Sequence, residues 1–128
     1  SKCGRVNAAF VTSYRLAMSS IDRFQSLKPK AIVSPHYGLL SEEETARYWD
    51  LFRASTEDMK EFILSRLQED LSDEAVLDAC YHVYYDDICR AEQPYRAWRL
   101  NTLAAIQTIK NEFRDELVEL APYDASTF

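Results

Sequence analysis

Glycine and histidine are the scarce residues of this 128-residue chain, with two of each: Gly4 and Gly38, His36 and His82. A Rossmann or P-loop phosphate cradle needs several glycines close together so that the backbone can approach the phosphates, and the chain has no such group. Two imidazoles argue equally against a self-contained multi-histidine metal centre. No run of about 18 apolar residues occurs, so no membrane-spanning helix is expected. Basic clusters are missing too. Lys and Arg number 15 against 21 Asp and Glu, a net charge of −6, and the cations are scattered. Nucleic-acid binding needs clustered cations to displace phosphate counterions, so no nucleic-acid partner is expected. The N-terminal Ser1-Lys2-Cys3-Gly4-Arg5 leads into an amphipathic pattern without the apolar core of a signal peptide. Three cysteines (Cys3, Cys80, Cys89), odd in number and without C-x-x-C spacing, read as thiols of a reducing compartment. These features together point to a cytoplasmic protein.

What is present suits a folded domain. Hydrophobic residues make up 47% of the chain and charged residues 28%, a balance that argues against disorder. The segment from Val6 to about Leu27 places Phe10, Tyr14, Ala17, Ile21 and Phe24 at spacings of three and four, one stripe of an amphipathic helix. Pro29 ends it. Ala31-Ile32-Val33 is then the one good strand candidate, stopped by Ser34-Pro35, and His36-Tyr37-Gly38-Leu39-Leu40 reads as a loop. Ser41 with Glu44 forms a capping box opening a helix to about Glu69, either continuous or restarted at Ser55 to Asp58. Ser72 caps a further helix carrying Val76, Leu77, Cys80, Tyr81, Val83 and Tyr84, and definition is lost from Ile88 to Gln93. Pro94 opens a final long helix whose stripe runs from Trp98 to Leu120.

The expected fold is therefore mainly α: four to five helices in an irregular bundle, with one short lone strand at about 31–34. A lone strand is physically odd, because its backbone donors and acceptors need a partner. It suggests an absent sheet, supplied by another chain or by a missing upstream part.

Three constellations bear chemistry. His36, on the loop leaving the strand, is placed to be a metal ligand or a catalytic base; the plainer reading is a turn histidine. Asp78, His82 and Asp86 follow one another at i, i+4 and i+8, a spacing that suits either a common metal or a solvated face of ion pairs. Tyr81, Tyr84, Tyr85, Tyr95 and Trp98 form an aromatic run that reads as a core edge or as a partner surface. No nucleophile motif accompanies them.

The first forty residues resemble the C-terminal part of metallo-β-lactamase-fold hydrolases. The resemblance lies in a helix containing Tyr14 and Ser19-Ser20-Ile21-Asp22-Arg23, followed by the run from Leu27-Lys28-Pro29-Lys30 through Ala31-Ile32-Val33 to Ser34-Pro35-His36-Tyr37-Gly38. In that family a strand ends in Pro-Gly-His-Gly, whose histidine is the last ligand of a two-metal site; here Pro35 and Tyr37 flank the matching His36. The resemblance implies His36 as one metal ligand, Tyr37 in the substrate pocket, and zinc (or iron or manganese) as the cofactor. Two metals holding a bridging hydroxide would serve metal-dependent hydrolysis. The family's His-x-His-x-Asp-His motif does not occur in the chain. The expectation is thus a C-terminal fragment, inactive by itself and binding no metal alone. Its residues 1–40 would be a helix-strand-loop remnant of the α/β core, and 41–121 a helical extension. Its partner would be the missing N-terminal half of the same protein, and uncovered faces would favour a homodimer. The alternative is a non-enzymatic helical domain for protein–protein interaction or dimerisation.

Overall fold

The computed structural model describes Phe10 and residues 12–27, 32–34 and 38–120. Among them are six helices and one hairpin: α1 (Tyr14–Ser26), β1 (Ile32–Ser34), β2 (Gly38–Leu40), α2 (Glu42–Gln68), α3 (Asp73–Tyr84), α4 (Asp87–Glu92), α5 (Tyr95–Glu112) and α6 (Arg114–Leu120). The mainly helical expectation holds. The lone strand does not: β1 pairs antiparallel with β2, in the register Ile32 to Leu40, Val33 to Leu39 and Ser34 to Gly38. The second strand occupies residues expected to be loop. A three-residue strand containing glycine shows no alternation to read, and only the pairing reveals it. The backbone groups between the two strands are thereby satisfied, while their outer edges meet no further strand among the described residues.

The long α2 runs unbroken for 27 residues, about 40 Å. Ser41 caps it by the expected box: the Glu44 amide donates to Ser41 Oγ at 3.2 Å, and the Ser41 amide donates to Glu44 Oε1 at 3.3 Å. No restart occurs at Ser55 to Asp58. The helix runs straight through Ser55, and beside it buried Thr56 donates its hydroxyl back to the Phe52 carbonyl at 2.7 Å, satisfied inside the helix. The helix stops where Asp70 turns into the left-handed region, with φ of 61°.

Two further boundaries depart from expectation. Residues expected to lose definition form α4, because Asp86 takes an extended conformation and accepts from the Cys89 amide at 2.8 Å as its N-cap. The final helix is not continuous: Phe113 leaves helical geometry (φ −112°, ψ 29°) and separates α5 from α6. Phe113 instead packs inward, with the Arg15 guanidinium 4.7 Å and the Lys60 ammonium 4.9 Å from its ring centre.

The core lies where α2, α3 and α5 meet. Ile63, Val76, Cys80, Ile106 and Ile109 are fully buried there, and Phe10 joins the same cluster. The first helix begins at Tyr14 and not near Val6, because Ser13 takes an extended conformation and caps it, so Phe10 joins the core from outside α1. Along α1 the apolar stripe turns inward only in part, since Phe24 stays 48% exposed. Ile21 is buried, and Phe24 stacks on Trp49 of α2 with ring centres 5.3 Å apart and planes 8° from parallel. The N-terminus of α1 has no acidic residue in its first turn. Glu112, the last residue of α5, supplies the negative charge: one carboxylate oxygen accepts from the Tyr14 and Arg15 amides at 3.0 and 3.1 Å, and the other from the Ser13 hydroxyl. Further along α1, Asp22 and Gln25 both accept from the Arg53 guanidinium of α2.

Candidate functional site

His36 and Tyr37, the residues expected to bind metal and to line a pocket, lie outside the described residues. The described residues nearest to them are Ser34, the end of β1, and Gly38, the start of β2. The second expected constellation is taken apart. Asp78 and His82 share a face of α3, with His82 Nε2 3.7 Å from Asp78 Oδ1 and both side chains largely in water. Asp86 does not extend that face. The helix ends at Tyr84, and Asp86 belongs to the cap of α4. A spacing of eight residues suggests one helix face only if the helix continues through it. Among the described residues no group of three or more His, Cys, Asp or Glu could hold a metal ion. These residues therefore do not form a zinc centre on their own.

The aromatic run holds together better. Tyr81, Tyr85, Tyr95 and Trp98 form one cluster where α3, the start of α4 and α5 converge. Tyr85 lies 5.0 Å from Trp98, Tyr81 meets Tyr95 edge to face at 5.8 Å, and Tyr95 stacks against Trp98 at 6.0 Å. The inner members, Tyr85 and Trp98, are buried. Tyr85 also donates its hydroxyl to the Gln93 carbonyl at 2.9 Å, tying down the connection into α5. Tyr84 leaves the group. Its hydroxyl donates to Asp58 at 2.7 Å and its ring packs edge-on against Phe62.

The outer members of the cluster border a cleft of about 320 Å³ lined by Glu74, Leu77, Asp78, Tyr81 and Tyr95. It opens to solvent, and Tyr95 is 48% exposed. Leu77 forms its apolar floor. Glu74 and Asp78 stand one helical turn apart on α3, and Arg99 of α5 contacts Glu74 at 2.9 Å. Glu74 sits in the first turn of α3, and Asp78 is half of the i, i+4 pair with His82. Their spacing of 74, 77, 78 and 81 on one helix was the available signal. The approach of Tyr95 from α5 was not, because it depends on how the two helices pack.

The two described cysteines are buried. Burial pushes the Cys80 thiol up to about 12, and burial also raises the Tyr14 phenol, which the Lys60 charge pulls the other way. The raised values give a signed pH dependence. Both groups are more easily ionised when unfolded, so their contribution is complete below about pH 9 and is lost as the pH climbs toward 12. Chemical denaturation is expected to show stability falling across that window, and less steeply in Cys80→Ala. At pH 8 the Cys80 thiol is also expected to resist alkylation until the protein unfolds.

No family model matches the chain, and neither a curated protein nor a solved structure was found to match it.

Proposed function

We propose that this chain is the helical C-terminal part of a metal-dependent hydrolase of the metallo-β-lactamase type, with His36 as one ligand of a metal site completed by residues outside it. The observation that supports the reading most is local order. An amphipathic helix (α1) is followed by a short strand (β1) ending at Ser34, directly before Pro35-His36, which is the arrangement that the resemblance requires. No further strand among the described residues lies beside the hairpin, and this agrees with it, since an isolated two-stranded hairpin is marginal by itself and a neighbouring strand would complete it. The test is His36→Ala in the protein carrying the residues that precede Ser1 in its reading frame. The substitution is expected to lower metal affinity and hydrolytic rate by 10-fold or more with the helical content unchanged. Unchanged metal binding would remove His36 from the site.

A second reading, a helical interaction or dimerisation domain, draws on the outer face of α1, where Leu16 and Leu27 are 68% and 69% exposed. Light scattering decides it. A dimer that Leu16→Glu dissociates supports this reading, and a strict monomer at high concentration counts against it.

A further inference from the structure

We propose that the cleft between α3 and α5 is a binding site for a guanidinium group, held by the Asp78 carboxylate and the ring faces of Tyr81 and Tyr95. This assignment is independent of the hydrolase reading, because none of the cleft residues takes part in it. Three observations converge on guanidinium chemistry.

The first is shape. Tyr81 and Tyr95 meet at an interplanar angle of 85°, so the two rings form perpendicular walls, and a flat cation can lie against one ring while its edge faces the other. The second is charge. Asp78 and Glu74 stand on the α3 side of the cleft, in a chain whose net charge is −6, and the carboxylate fork suits the paired N–H groups of a guanidinium better than a point ammonium. The third is what the protein already does around this cluster. Arg90 places its guanidinium 5.4 Å from the ring centre of Tyr85, and Arg99 places its own on Glu74 at 2.9 Å. One guanidinium of the chain is thus held by a residue lining the cleft and a second by Tyr85, which touches both cleft tyrosines, while no Lys or Arg is paired with Asp78 in a described contact. The His82 ring lies 3.7 Å from it. An incoming guanidinium would pair with Asp78 and stack on Tyr95, leaving the Arg99–Glu74 pair as the rim.

The experiment is calorimetric titration of the chain with four probes: agmatine, a capped Gly-Gly-Arg-Gly-Gly peptide, and the same peptide with lysine or with citrulline in place of arginine. Citrulline keeps the shape and removes the charge. The expected result is saturable binding of the arginine peptide with a Kd of about 1 mM or tighter. The lysine peptide is expected to bind several-fold more weakly and the citrulline peptide at least 10-fold more weakly. Equal affinity for agmatine would assign the site to the guanidinium alone, and tighter peptide binding to an arginine on a polypeptide; both support the proposal. Asp78→Asn and Tyr95→Leu are each expected to weaken binding about 10-fold. Glu43→Gln, on an exposed carboxylate of α2 outside the cleft lining, should leave it unchanged. Circular dichroism of each variant checks that the fold is retained. Absence of saturation, equal binding of citrulline or lysine, or full affinity in both cleft variants would overturn the proposal.

Discussion

Ile106→Ala is expected to lower the unfolding free energy by about 3 kcal/mol and the melting temperature by about 10 °C. Ile106 is fully buried on α5, in the same cluster as Ile63 of α2 and Val76 of α3, both equally inaccessible. Truncation removes three carbon atoms from a position enclosed by three helices. The loss comprises the transfer free energy of those atoms and the cavity that close-packed neighbours cannot fill. Because small domains are stable by only about 5–15 kcal/mol, the change is a large fraction of the whole. Leu100→Ala on the same helix is the control. Leu100 is 64% exposed, so its truncation should change stability by less than about 0.5 kcal/mol. Urea denaturation of both variants checks the pair. Equal effects would mean that α5 presents a different face to the core.

Glu112→Ala carries the second large effect, about 2 kcal/mol, concentrated where the end of α5 meets the start of α1. The Glu112 carboxylate accepts from two backbone amides and the hydroxyl at the start of α1, groups that the helix cannot satisfy for itself. Its position as the last residue of α5 is unfavourable for that helix, whose C-terminal dipole repels an anion. The two helix ends offset each other through one side chain, and the net cost of removing it is smaller than three charge-assisted bonds would suggest. Hydrogen exchange separates this local effect from global loss. The Tyr14, Arg15 and Leu16 amides are expected to lose protection in Glu112→Ala, while amides at the middle of α2 lose protection only by the global change. Glu112→Gln, which keeps an acceptor and loses the charge, should fall between wild type and alanine.

The legible parts of the fold were those with long periodic patterns or local caps. The stripe of α1 and the Ser41 and Ser72 caps each act within a few residues, so the sequence displays them directly. What escaped depends on distant partners. Strand β2 exists because Val33 finds Leu39, and a run of Gly38-Leu39-Leu40 has no period to announce it. Glu112 reaches α1 across 98 residues of sequence, with no signal beyond the absence of an acid in that helix's first turn. Asp86 continues the spacing of Asp78 and His82 past the end of a helix, where that spacing no longer places residues on one face. The helix stops at Tyr84, and the capping role of Asp86 follows from that stop. The aromatic run was visible as a run, but its division was not: Tyr81, Tyr85 and Tyr95 gather at Trp98, while Tyr84 turns to Phe62 and Asp58.

Placing this helical bundle in a metallohydrolase rests on His36 and its surroundings, and a metal count tests it most directly. The protein purified with the residues that precede Ser1 in its reading frame should carry two transition-metal ions per chain by elemental analysis, and His36→Ala should carry fewer. A longer protein that purifies with no bound metal, and that takes up none when zinc, iron or manganese is supplied, would contradict the assignment.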